Sequence, residues 1–389
     1  MRVVIAPDSF KECLRADEVA EAIEAGWLAG MPGTETQCFP MADGGEGTVD
    51  AVVRAAGGET VTIEVTGPRG EAVSAAYGRI QGGQVAIIEM AAASGLDLVP
   101  PDERDPCMTS TFGTGELIAH ALDQGVNDVI IGVGGSATND GGAGMAQALG
   151  YQFINKQGNE LERGGARLVQ LDRIDPSKRH PRLDEVNVYV ACDVNNPLCG
   201  PSGATAIYGP QKGASAEDVL ILDHALGHFA KIIERDLGVE ILRVEGAGAA
   251  GGLAGGLMAF AGAKLERGLE LIATLCNLPE VIASADLVIT GEGSLDAQSC
   301  FGKTPVGLAQ LALPHRVPVL ALGGRVLPGA EALLEHGITS IHPICPGPQT
   351  WETARDSAKE NLRFTAEQLA RTWYAAALSV TPAANADAT

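Results

Sequence analysis

Several short stretches set carboxylates, amines and hydroxyls among glycines, a mixture suited to handling phosphate. Asp8-Ser9-Phe10-Lys11 directly follows the apolar run Arg2–Ala6. Phosphoryl transfer needs those types: cations offset phosphate charge, and a carboxylate holds Mg²⁺ or accepts a hydroxyl proton. An ordinary turn and helix cap would use the same residues. In Asp43-Gly44-Gly45-Glu46-Gly47 the glycines let backbone N–H groups approach an anion, and Thr48 opens a helix whose start favours negative charge. A plain strand-to-helix turn is the alternative there.

The richest stretch runs from Gly132 to Gly142 (GVGGSATNDGG). Gly132–Ala137 matches G-x-G-x-x-A after a strand, but no strand ending in an acidic residue follows about 20 residues on to take a ribose. A phosphate or carboxylate cradle built on Gly134, Gly135, Ser136, Thr138 and Asn139 fits better. Gly246–Gly251 also matches G-x-G-x-x-G without a convincing strand before it. Gly248, Gly252 and Gly256 recur every fourth residue, so close packing of a helix face stands beside a phosphate-facing helix start.

Gly291-Glu292-Gly293-Ser294-Leu295-Asp296 leads to Gly302-Lys303-Thr304, but position 297 is Ala, so the first glycine of a P-loop is missing. Lys303 at a helix start beside Asp296 can still serve phosphate. Asp193, followed by two Asn, sits after another strand. His224 and His228 lack the intervening Glu of H-E-x-x-H, and a surface or half-buried pair is expected rather than a metal site. Neither a protein-kinase catalytic loop nor a G-x-S-x-G elbow occurs. Acidic strand ends, many glycines and little usable histidine favour phosphoryl transfer over hydride or acyl chemistry.

These clusters have to be held by a scaffold. The chain has 389 residues, enough for about two domains. With 46% hydrophobic and 20% charged residues it can build a core. Fifty glycines and 4% aromatics suit an α/β architecture. The net charge of −22 argues against nucleic-acid or membrane-surface partners. The N-terminal run has no signal-peptide pattern, and Gly246–Ala263 is too Gly-rich for a membrane span. Eight scattered cysteines without C-x-x-C read as reduced, mostly buried thiols, and the expected location is cytoplasmic.

Short β-branched runs end in Gly, Asp or Pro clusters and lead into amphipathic stretches. Arg2–Ala6 leads to a helix over Ala16–Leu28, and Thr36–Phe39 to one over Thr48–Ala56. Asp286–Thr290 leads to Pro305–Leu313, and Val317–Leu322 to Ala330–His336. Thr339–Ile344 leads to a long helix over Glu352–Ala376. That alternation predicts a parallel sheet. Thr60–Thr66, Val73–Ile80 and Val85–Met90 leave no room for crossover helices, which predicts antiparallel or mixed pairing. The expected fold is therefore α/β. A Rossmann-like parallel-sheet domain from residues 1–58 and 285–380 carries an inserted mixed-sheet α/β domain of 59–284, with 381–389 as a tail. A tandem split is the competing arrangement. Polar clusters gather at the carboxyl ends of strands, where open α/β sheets bind ligands, which suggests one composite site between two domains.

APDSFK (6–11), MADGGEGT (41–48), GVGGSATNDGGAG (132–144), ACDVNNPLCG (191–200), GAGAAGGL (246–253) and ITGEGSLDAQSCFGKTP (289–305) together resemble the bacterial glycerate kinase family, in the family's order and over nearly the whole chain. The resemblance implies the same two-domain fold. It also implies ATP-dependent phosphorylation of the small molecule D-glycerate to 2-phosphoglycerate, in glyoxylate, glycolate or sugar-diacid breakdown. ATP and Mg²⁺ are the expected cofactors, and a monomer or homodimer the expected assembly. Phosphorylation of the 3-hydroxyl is one alternative. A nicotinamide-dependent hydroxyacid dehydrogenase is another, and a sugar-acid-binding regulator conflicts with the charge.

On that resemblance, Lys11 and Lys303 neutralise the transferring phosphoryl group. Asp8, Asp43, Asp193 and Asp296 compete for the roles of Mg²⁺ ligand and general base. Asp193 is favoured as base because it lies on the inserted domain, across the expected cleft from the two lysines. Asp8, Asp43 and Asp296 are the metal candidates. Asp43, Gly44, Gly45, Gly134, Gly135, Ser136, Thr138, Asn139, Gly291, Glu292, Gly293 and Ser294 are the cofactor-binding candidates. The substrate carboxylate is expected on Gly134–Asn139, or on Arg69 or Arg325. Domain closure that excludes water is a further expectation.

Overall fold

The computed structural model describes residues 1–10, 13–41, 47–300 and 303–380. In chain order its strands are β1 (Arg2–Ile5), β2 (Glu35–Cys38), β3 (Glu59–Thr66), β4 (Ala72–Ile80), β5 (Val85–Glu89), β6 (Asp128–Gly132), β7 (Gln152–Asn155), β8 (Leu171–Asp175), β9 (Asn187–Ala191), β10 (Lys264–Glu266), β11 (Leu287–Leu295), β12 (Val319–Val326) and β13 (Ser340–Pro343). By internal packing the chain divides into two units, Met1–Ala42 with Ile272–Thr389, and Asp43–Leu271. Thr48–Ala56, grouped with the chain ends from sequence, packs on β4 and β5 instead. At the other boundary, Leu278–Ala283 packs on the helix Thr304–Ala312.

The unit made of both chain ends is a parallel sheet in the order β13-β12-β11-β1-β2. Val3–Ile5, Leu287–Ile289 and Val319–Leu322 are buried without alternation, as strands covered on both faces must be. On one face Val3, Ile5, Leu287 and Leu320 meet Val19, Ile23 and Trp27 of the helix Ala16–Gly30 and Leu362 and Ala366 of the helix Ala358–Val380. These two helices pack closely because Gly26 faces backbone: a Cβ there would stand 2.0 Å from the Arg363 carbonyl oxygen. The long C-terminal helix expected from sequence is two helices, Trp351–Asp356 and Ala358–Val380.

That contact makes a prediction. Gly26→Val forces the C-terminal helix outward and should lower stability by about 1–3 kcal/mol, the usual cost of overpacking. Urea unfolding would measure it, and an unchanged midpoint would contradict the packing described.

The second unit is a mixed sheet in the order β10-β9-β6-β5-β4-β3, with β3, β4 and β5 antiparallel and β5, β6, β9 and β10 parallel. The antiparallel hairpin β7–β8, not anticipated from sequence, packs beside the helix Ala216–Leu237. Ser215 opens that helix with a capping box closed by Asp218. Phe153, Phe229 and Phe260 form the aromatic centre of this core, with ring centroids 5.6–5.9 Å apart. His228 bonds the Leu171 carbonyl at 2.7 Å.

The two Gly-rich runs of this unit pack on each other. A Cβ at Gly251 would lie 2.1 Å from the Thr138 carbonyl oxygen, and one at Gly256 would lie 2.3 Å from that of Gly141. Close packing thus accounts for these two glycines. The every-fourth-residue face is not one helix, since the helix starts at Leu253 and Gly248 precedes a 3-10 turn. All eight cysteines are free and half-buried rather than mostly buried. Among the described residues no helix is long and apolar enough to cross a membrane.

Candidate active site

The carboxyl edge of the parallel sheet gathers the first set of groups. Asp8 follows β1, and its backbone N–H bonds the Gly291 carbonyl at 2.8 Å. One carboxylate oxygen accepts from Thr304 Oγ1 at 2.9 Å and the other from the Ser9 N–H at 2.6 Å. β11 does not end at Thr290, as its apolar run predicts, but continues to Leu295, pairing Glu292 with Gly323 and Ser294 with Arg325. Gly291, Glu292, Gly293 and Ser294 therefore belong to a strand rather than a loop. Arg325 Nε donates to Ser294 Oγ at 3.0 Å.

Glu292 is buried and accepts from Ser299 Oγ, while Lys303 Nζ lies 3.3 Å from it. Burial pushes its carboxyl above the ordinary Glu range, and Ser299 and Lys303 pull the other way. Because the folded value is raised, Glu292 supports folding below the ordinary Glu range, and that support is lost as pH rises through the raised value. Lys303 caps the helix Thr304–Ala312 and stays partly exposed, so its ammonium can meet an anion at that helix start. Asp296 is half-buried, with its N–H on Ser299 Oγ at 3.3 Å. Lys11, Asp43, Gly44 and Gly45 lie outside the described residues.

Among the described residues, no three His, Cys, Asp or Glu side chains group as a metal cage. Mg²⁺ that travels with a nucleotide does not need one, since one or two carboxylates plus phosphate oxygens and water complete its shell. Asp8 is a carboxylate of the type that demand calls for, placed after β1 and bonded to Thr304 and Ser9.

The mixed sheet has its own carboxyl edge. Gly132 pairs with Ala191, so the Gly134–Ser136 turn after β6 and Asp193 after β9 emerge from neighbouring strands. The β3–β4 turn bearing Arg69 lies at the same edge, where Arg69 pairs with Glu103. Asp193 is exposed and accepts from the Gly268 N–H at 3.2 Å. Gly135 is exposed, Gly134 half-buried and Ser136 nearly covered. Thr138 and Asn139 are fully buried, and Asn139 Nδ2 donates to Thr205 Oγ1 at 2.9 Å. The cradle is thus divided. Gly134 and Gly135 reach solvent, whereas Ser136, Thr138 and Asn139 are held from within.

Two buried groups behind this loop were not singled out from sequence. Lys212, 2% exposed, donates to Ser136 Oγ and to the Thr138 carbonyl, both at 2.7 Å. Burial lowers its amine to about 7, against the opposing pull of Asp140. Asp140 is itself fully buried. It accepts from the N–H groups of Thr111, Gly142 and Gly144 at 2.9–3.1 Å and from Thr111 Oγ1 at 2.9 Å. Burial nevertheless raises its carboxyl above the ordinary Asp range. Lys212 stands between Gln211 and Gly213, a context that reads as a surface turn, so no local pattern marks it.

Residues 3–374 match the model of the glycerate kinase family. A glycerate kinase of Halalkalibacterium halodurans is 49% identical over 368 residues, covering 95% of this chain and 97% of that one. The glycerate 2-kinase of Escherichia coli is 47% identical over 372 residues, covering 96% and 98%. A crystal structure of a candidate glycerate kinase 2 from Salmonella typhimurium, 49% identical, superposes with a TM-score of 0.86 over 97% of this chain and 99% of that chain.

Proposed function

The chain belongs to the glycerate kinase family, and on that premise we propose that it transfers the γ-phosphoryl group of ATP to the 2-hydroxyl of D-glycerate, giving 2-phosphoglycerate and ADP. Support at the site comes from one constellation at the carboxyl edge of the parallel sheet: Asp8 bonded to Thr304, and Lys303 at the same helix start, facing Glu292. A carboxylate and a cation at one helix start beside a strand edge suit a triphosphate and its counter-ion. The regiochemistry follows the E. coli relative, which is named for the 2-position.

The roles divide by sheet edge. Lys303 and Lys11 offset the charge of the transferring phosphoryl group, and the nucleotide contacts fall to Gly291–Ser294, Gly44 and Gly45. Mg²⁺ entering with ATP would be held by Asp8, with Asp43 and Asp296 as further carboxylates, and would supply charge neutralisation at the β- and γ-phosphates. On the mixed sheet, the Gly134–Ser136 tip takes the glycerate carboxylate through backbone donors. Asp193 accepts the proton of the 2-hydroxyl as the new O–P bond forms. Eight free cysteines support a reducing, cytoplasmic setting.

Heat protection separates this reading from hydride chemistry. MgATP at about 100 times its Kd should add about 2.7 kcal/mol to stability, while NADH adds nothing. Protection by NADH and none by MgATP would overturn it.

A further inference from the structure

Lys212 is a buried amine that the phosphoryl-transfer roles above do not use. Its neighbourhood is set by long-range packing: Thr138 lies against Gly251, Gly165 lies against the Asn139 carbonyl, and Gly213 lies against the Arg104 carbonyl. Among the described residues the amine has two short contacts, and both are to the Gly134–Asp140 loop. Ser136 and Thr138 are separated by one residue, so one donor ties together two buried points of the loop just behind the exposed Gly135. The charged group acting on the amine is the Asp140 carboxylate, which the Thr111, Gly142 and Gly144 N–H groups hold in place.

We propose that Lys212 is a positioning residue for the reaction: by bonding Ser136 Oγ and the Thr138 carbonyl it fixes the Gly134–Ser136 tip in the shape that receives the carboxylate of D-glycerate. The inference rests on the reading that this tip takes that carboxylate. As an ammonium, Lys212 lends the tip a positive charge and makes both bonds charge-assisted. As a neutral amine it still donates, but more weakly. Its amine titrates at about 7, so the charge on the clamp changes within the working range of pH.

Steady-state kinetics of the full chain, with D-glycerate and MgATP varied separately between about pH 6 and 9, test this. In the parent, KM for D-glycerate should rise about tenfold as pH passes through the titration of the amine, the effect of weakening one charge-assisted hydrogen bond, while KM for MgATP stays level. Lys212→Met keeps the length of the side chain and removes its charge. At low pH it should show the raised KM that the parent shows at high pH, without the pH-dependent limb, and kcat should change less than KM. Ser136→Ala should raise KM and shrink the limb. A lysine that merely held the fold would lower thermal stability and leave the pH profile of KM intact. Raised KM in Ser136→Ala, with the parent's KM and limb kept in Lys212→Met, would overturn the inference and leave the tip as the carboxylate site. Unchanged KM in both variants would likewise overturn the inference, because the side-chain clamp would then not shape the backbone donors of the tip. Should Lys212→Met fail to fold, an unchanged KM for D-glycerate in Ser136→Ala, which removes one of the two bonds of the clamp, is enough to overturn the inference.

Discussion

Asp193→Asn is expected to lower kcat for D-glycerate phosphorylation by about 10²–10³-fold, the lower part of the range for general-base catalysis. The lower part applies because phosphoryl transfer passes through a loose transition state, with little bonding to the nucleophile when proton removal begins. The substitution is conservative. Asp193 is exposed, and its bond to the Gly268 N–H uses one oxygen that an amide carbonyl replaces. Stability and MgATP binding should therefore stay close to the parent's. Near-normal kcat would remove Asp193 from the role of base.

Asp140→Ala should produce the largest loss of stability. One buried carboxylate serves the backbone N–H groups of Thr111, Gly142 and Gly144 and the Thr111 hydroxyl, and the substitution leaves them without a partner. Orphaned buried donors cost about 1–3 kcal/mol each. Neighbouring losses overlap and the local backbone relaxes, so about 3–5 kcal/mol in total is expected, the range seen when a buried pair is broken. In a unit of this size that corresponds to about 10 °C or more in Tm. Because Lys212 loses the carboxylate that raises its pKa, the amine should also be neutral at lower pH. Calorimetry decides the point, and a Tm within about 2 °C of the parent's would show that the network is not the anchor described.

The sheets were legible because parallel strands buried on both faces are continuous apolar runs, as in Val3–Ile5 and Leu287–Ile289. Strand ends were less so. Gly291–Ser294 looks like a loop, yet it continues β11 because Arg325 of β12 pairs with Ser294, and a pairing partner 31 positions away leaves no local signature. The β7–β8 hairpin was invisible for a related reason, since its strands QFIN and LDRID are short and partly polar.

The glycine runs carried an ambiguity that local sequence does not resolve. A missing Cβ serves close backbone packing and ligand approach equally well. Gly251 and Gly256 use it for packing against Thr138 and Gly141, whereas Gly135 lies exposed at the loop tip. Thr138 and Asn139 read as ligand donors and sit in the interior, while Lys212 reads as a turn residue and sits at the root of the loop. Polar residues were recognisable by type, but their direction is set by segments 66 to 76 positions apart.

The most direct test follows ADP release from MgATP with D-glycerate and then treats the product with enolase alone. Immediate formation of phosphoenolpyruvate is the result expected for phosphorylation at the 2-hydroxyl. A product that needs phosphoglycerate mutase first, or the absence of D-glycerate-dependent ADP release from folded protein, would contradict the account.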